Sequence, residues 1–194
     1  GCVNEEKKLP IIPQPLKSVY PPETVESKNS APTQLKFAKK HDVRVEKYAL
    51  DYLGNQDVGL INISIDNPNI DLASVGVSEE SYELRVLDSS IEISARTTWG
   101  AIRSLATLWQ AAKQGRLNPG LSIRDEPRFL WRGLMLDVAR HFIPLKTLRE
   151  TVDRMSLLKL NVLHLHLSDD QGFRFGSKKY LSLIHISEPT RRRT

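Results

Sequence analysis

Between residues 130 and 167 the hydrophobic period changes twice, and that alternation narrows the folds open to the chain. Leu130, Leu134, Leu136 and Val138 lie in a largely apolar run that suits a buried strand ending at Arg140 and His141. Pro144 then opens a helix that carries Leu145, Leu148, Val152, Met155 and Leu158 at helical spacing on its inner face. A second buried strand is expected at Asn161 to Leu167. Strand, helix, strand in this order predicts a βαβ unit, because two parallel strands need a crossover and a helix supplies it with a right-handed sense. Such a unit belongs to something larger, yet 194 residues fall short of a complete eight-stranded α/β barrel of roughly 250.

The upstream pattern is different. Residues 3 to 34 hold Pro10, Pro13, Pro15, Pro21, Pro22 and Pro32 among Glu, Lys and Ser, which predicts a tether (residues 1–34) running into an extended segment. From 35 to 124 candidate strands fall at Val43 to Val45, Gly59 to Ile65, Tyr82 to Leu87 and Ser90 to Ser94, the last two reading as a hairpin around Asp88 and Ser89. Ala101, Ile102, Leu105, Leu108, Trp109 and Ala112 then stripe one helix face until Gly115, Asn118, Pro119 and Gly120 stop it. Strands plus a covering helix predict a small α+β domain.

Charge and cysteine usage exclude several partners. The formal net charge is +5, but Arg191, Arg192 and Arg193 against Glu188 place +2 of it in the last fourteen residues. No basic stripe with interleaved aromatics remains, so no nucleic-acid partner is expected. One cysteine leaves no intrachain disulfide, and Cys2 directly follows Gly1. That position resembles the residue left after a bacterial lipoprotein signal is cut, which makes Cys2 a lipidation candidate; a free thiol at a frayed end is the alternative. Membrane attachment is expected only through such an anchor, which would put the protein in a bacterial cell envelope, periplasmic or on the outer membrane.

In a parallel barrel, chemistry gathers at the carboxyl ends of the strands. Two such ends are present, Asp137 to His141 and Ser168 to Gly172. A strict period of two puts Leu163, Leu165, Leu167 and Asp169 on one face and His164, His166, Ser168 and Asp170 on the other. Arginine beside carboxylates at adjacent strand ends suits a polyhydroxylated ligand, because a guanidinium offers a planar fork of donors to paired hydroxyls. The same residues could equally brace the rim.

The runs Trp131-Arg132-Gly133-Leu134-Met135-Leu136-Asp137-Val138-Ala139-Arg140-His141-Phe142 and Lys159-Leu160-Asn161-Val162-Leu163-His164-Leu165-His166-Leu167-Ser168-Asp169-Asp170-Gln171-Gly172-Phe173-Arg174 strongly resemble the family 20 glycoside hydrolases, the β-N-acetylhexosaminidases. Upstream, Ile11 to Pro15, Tyr82 to Val86 and Gly100 to Gln110 resemble the small α+β domain that precedes the barrel in that family. The resemblance implies an α/β fold: an α+β domain over 35–124, then the first two strands of a truncated (β/α)8 TIM barrel over 125–180. It implies that Arg140 holds hydroxyls of a terminal, non-reducing N-acetylhexosamine of glycans or chito-oligomers. It implies that Asp169 belongs to the network supporting the acid/base residue, and that His166 and Asp170 are structural or stand behind it. Arg132 is expected to brace the opposite end of the strand, eight residues or on the order of 25 Å from Arg140.

The mechanism implied is substrate-assisted and retaining, with the acetamido oxygen as nucleophile and an Asp-Glu pair from a later strand as orienter and acid. No match to that pair occurs after Gly172, so no catalytic residue is expected in this chain and the fragment is expected to be inactive. It calls for no cofactor and no metal. The run Leu181 to Arg191 looks like a translated sequencing adapter, so 181–194 is expected to be a non-native tail. Two other readings fit parts of the sequence. His164 and His166 with an aspartate could begin a metal site of an amidohydrolase-like barrel. The N-terminal domain could instead be a non-catalytic carbohydrate-binding module, although Trp99 and Trp109 fit core packing better than a binding platform.

Overall fold

The computed structural model describes residues 11–21, 31–68, 79–170 and 172–174; Cys2 and the tail at 181–194 lie outside them. The chain forms two compact units, residues 1–130 and 131–194. The junction at 130/131 falls a little later than the expected 125, and Ser122–Asp125 is a strand of the first unit.

That first unit is built from β1 (Lys17–Val19), β2 (Ala31–Phe37), α1 (Val43–Leu53), β3 (Val58–Asn67), β4 (Tyr82–Val86), β5 (Ser90–Thr97), α2 (Thr98–Lys113) and β6 (Ser122–Asp125). The strands form one six-stranded sheet in the order β1-β6-β4-β5-β3-β2. The expected hairpin is β4 and β5, antiparallel, closed by the Leu87 N–H donating to the Ser90 carbonyl at 2.8 Å. Helix α2 packs on β3, β4 and β5 and against α1, burying Leu105 and Leu108 over the isoleucines of β3 and β5. Trp99 and Trp109 pack against this core, as expected. Gly115 ends α2 at φ 63°, a left-handed turn residue that lets the Arg116 N–H reach back to the Ala111 carbonyl.

Two expectations are corrected here. Val43 to Val45 is not a strand but the first turn of α1. Its β-branched residues favour strand, yet Asp42 caps the helix by accepting from the Arg44 N–H, and Val45, Ala49 and Leu53 recur one turn apart on the buried face. Nor does the proline-rich segment, where described, behave as a tether. Gln110 clamps Ile12 from both sides, accepting from its N–H and donating to its carbonyl at 2.8 Å each, and β1 pairs antiparallel with β6. The boundary at 34 cuts through β2, an edge strand parallel to β3. Pro32 is tolerated because an edge strand has a side with no ladder to supply, and the register shifts between Ala31 and Gln34.

Asp42 also joins the two helices, since its carboxylate meets Arg44 at 2.9 Å and accepts from the Thr98 hydroxyl at 2.6 Å. Burial opposes its ionisation, but the hydrogen bonds from Arg44 and Thr98 outweigh that and hold its pKa down at about 2. A carboxylate depressed in the folded state stabilises above its unfolded pKa and loses that contribution as pH falls through the folded one. Asp42→Ala should therefore cost about 2 kcal/mol at pH 7, and the gap to the parent should close between pH 4 and 2. Melting curves giving the same gap at both ends of that window would contradict the assignment.

The second unit contains β7 (Gly133–Asp137), α3 (Leu145–Leu157), β8 (Val162–His166), β9 (Ser168–Asp169) and β10 (Gly172–Phe173). β7 and β8 are parallel, so the expected βαβ unit is present. Register pairs Leu134 with Leu163 and Leu136 with Leu165, against Met135 with His164 and Asp137 with His166. At the amino end Arg132 braces the unit as expected, donating through Nε to the Lys159 carbonyl at 2.8 Å while its N–H meets Asn161 Oδ1 at 2.9 Å. Of the expected inner stripe of α3 only Met155 is buried; Leu145, Val152 and Leu158 are exposed.

Candidate functional site

The last rung of the parallel ladder sets Asp137 beside His166 at the carboxyl end of the two strands. The chain turns after Asp137, whose Oδ1 accepts from the N–H groups of Ala139 at 3.1 Å and Arg140 at 3.0 Å. This turn aims the Arg140 side chain back across the strand end. Its guanidinium pairs with Asp137 Oδ2 through Nη1 and with Asp169 Oδ2 through Nη2 at 2.7 Å. Asp169 Oδ2 also meets His166 Nε2 at 2.9 Å, and its Oδ1 accepts from the Asp170 N–H at 2.7 Å. Arg140, Asp169, His166 and Asp170 thus come together, with Asp137 as a fifth member.

One expectation about this cluster fails. Alternation placed His166 and Asp169 on opposite faces, but β8 ends at His166 and the chain folds into the β9–β10 turn, which returns Asp169 to the histidine. Period two holds only while the backbone stays extended. Gly172 lets that turn lie close against the end of β7: a Cβ there would sit 2.6 Å from the Ala139 carbonyl oxygen.

Electrostatics follow the geometry. Asp169 is held well below the ordinary carboxylate range by hydrogen bonds from Asp170 and His166 and by the Arg140 charge. Asp137 is lowered too, chiefly by the Arg140 N–H and then by its guanidinium. Arg140 in turn is raised by Asp137 and Asp169. Both carboxylates are thus anionic at neutral pH, and Arg140 is held in one orientation while its side chain stays 49% exposed. A fixed, half-open guanidinium flanked by carboxylate oxygens can donate to and accept from neighbouring hydroxyls.

Sequence reasoning assigned no role to Asp137 or Arg174. The signal for Asp137 was there, since an aspartate that ends a strand readily accepts from the N–H groups two and three residues on. Arg174, which donates to the carbonyls of Val138 and Ala139, has no such local signature. His164 is exposed, and among the described residues no group of three His, Cys, Asp or Glu side chains is placed to hold a metal. No described helix is long and apolar enough to cross a membrane.

Fold and site together define an α/β protein with a charged cluster at the carboxyl edge of a parallel strand pair. Residues 129–193 match the glycosyl hydrolase family 20 catalytic domain, and residues 13–111 match the beta-acetyl hexosaminidase like family. The chain belongs to glycosyl hydrolase family 20. It is 40% identical over 136 residues to Beta-hexosaminidase 1 of Coccidioides posadasii, a match covering 67% of this chain and 22% of the relative. The chitobiase of Flavobacterium johnsoniae superimposes with a TM-score of 0.74 at 28% identity, over 91% of this chain and 30% of that one. A mutant Streptomyces plicatus beta-hexosaminidase in complex with its product GlcNAc superimposes with a TM-score of 0.64 at 28% identity, covering 84% of this chain and 35% of that one. The chain spans about a fifth to a quarter of the length of the curated relatives it matches.

Proposed function

We propose that this chain is the front part of a β-N-acetylhexosaminidase that removes terminal GlcNAc or GalNAc from glycans or chito-oligomers. On this reading the first unit, up to residue 130, is the preceding α+β domain, and the second supplies the first two strands of a (β/α)8 barrel. The observation that carries it is Arg140, held between Asp137 and Asp169 with its fork half open at the carboxyl edge. A sugar hydroxyl pair can take that fork with little reordering, so binding energy goes into holding the ring while its own acetamido oxygen attacks the anomeric carbon. Asp169, anionic and braced by His166 and Asp170, lies beside Arg140 as part of the network behind the proton donor. The product named for the Streptomyces relative supports an N-acetylhexosamine as ligand.

In the full-length enzyme, Arg140→Ala should raise KM and lower kcat/KM by roughly 10- to 100-fold, because sugar hydroxyls would lose their partner in a shaped site. An unchanged kcat/KM would remove Arg140 from the site. The 194-residue polypeptide by itself holds no match to the family's Asp-Glu pair, so it should leave a chromogenic N-acetylglucosaminide intact; turnover above a heat-killed control would sink that part of the proposal. Anchorage through Cys2 in a bacterial envelope belongs to the same reading and is checked by fatty-acid labelling that a Cys2→Ser variant loses.

A further inference from the structure

We propose that Arg174 is a positioning residue for Arg140, acting through the turn at the end of β7. The inference rests on the reading of Arg140 as a sugar-holding residue and adds a residue to that site. After Asp137 the ladder to β8 continues for one bond, from the Val138 N–H to the His166 carbonyl at 3.2 Å. The carbonyls of Val138 and Ala139 then leave the sheet, and both residues are buried. Buried carbonyls require a donor. Arg174 supplies it with one planar group: Nε donates to the Val138 carbonyl at 2.9 Å and Nη2 to the Ala139 carbonyl at 3.2 Å.

The clamp is itself fixed from three directions. The Arg174 N–H donates to the Leu167 carbonyl at 2.8 Å, which ties its backbone to the end of β8. Its guanidinium lies over the Phe142 ring, 5.6 Å from the ring centre. Gly172 brings this strand against Ala139 so closely that no side chain fits between them. The two carbonyls held by Arg174 immediately precede Arg140, whose N–H is in turn held by Asp137. The turn is therefore gripped at its carbonyls by Arg174 and at its N–H groups by Asp137, and the direction of the Arg140 side chain follows from both. A lysine could reach one carbonyl but could not straddle two, because only a guanidinium carries rigidly spaced donors.

The test uses the full-length enzyme and a chromogenic N-acetylglucosaminide. Arg174→Met should raise KM roughly tenfold with kcat changed less than about twofold, since the loss falls on holding the sugar rather than on the proton donor. R174K should recover part of the loss, and it keeps the question open to measurement should the methionine variant melt early. In an R140A background, R174M should add almost nothing, because Arg174 works through Arg140. An unchanged KM in R174M, or an equal fold-loss in wild-type and R140A backgrounds, overturns the inference while leaving Arg140's role intact. Wild-type kinetics in R140A alone would instead overturn the sugar-holding reading, and this inference with it.

Discussion

Arg103→Met should lower the unfolding free energy of the N-terminal unit by about 3–5 kcal/mol, the usual cost of removing one partner of a buried ion pair. Arg103 in α2 grips Glu80 with two donors, Nε to Oε2 at 3.2 Å and Nη2 to Oε1 at 3.3 Å. The two side chains are only 10% and 4% exposed, so solvent does little to screen them. Removing the cation takes two donors from a carboxylate that solvent barely reaches, and a buried charge with fewer partners is costly. The double variant R103M/E80L should recover much of the loss, because the cost lies in keeping a weakly supported charge buried more than in the missing attraction. Urea titrations of the three variants test this; a single-variant loss under about 1 kcal/mol would mean the pair behaves like a screened surface bridge.

Gly172→Ala in the full-length enzyme should lower kcat/KM roughly 100-fold, since about 1 Å of misplacement at a site of this kind costs that much. The new Cβ would meet the Ala139 carbonyl oxygen at 2.6 Å, a backbone atom with no rotamer to escape into. The turn carrying Arg140 must then shift, or the β9–β10 turn carrying Asp169 must open. Either movement breaks the pairing of Arg140 with Asp169, whose 2.7 Å bond spans the two. Cooperative melting of the variant, together with activity within twofold of the parent, would show that the close approach does not set the site.

Arg140 and Asp169 both belong to motifs readable in the chain, and the strands that carry them are signalled by local alternation of apolar residues. The contact between His166 and Asp169 was not readable, because alternation was carried past the end of β8 into a turn where the backbone is no longer extended. Arg174 was hidden for a related reason: it serves carbonyls at positions 138 and 139, and no periodicity links residues that far apart. Helix α1 runs against its local signal because the β preference of Val43 and Val45 is a weak bias, and the Asp42 cap with burial at Val45, Ala49 and Leu53 overrides it.

The amino-acid sequence alone determined the elements whose signals are local: the β4–β5 hairpin, the long helix α2, and the strand, helix and strand of the second unit. Their periods are dictated by which face each element buries, so they survive without knowledge of partners. Only the tertiary structure decided what meets at the strand ends. The proline-rich segment joined the sheet because Gln110 and β6 gave its backbone partners from about a hundred residues away. Arg140 became a fixed fork because Asp169 and Arg174 reach it or its turn from another segment and join Asp137 three residues upstream, and such convergence is a property of the folded chain.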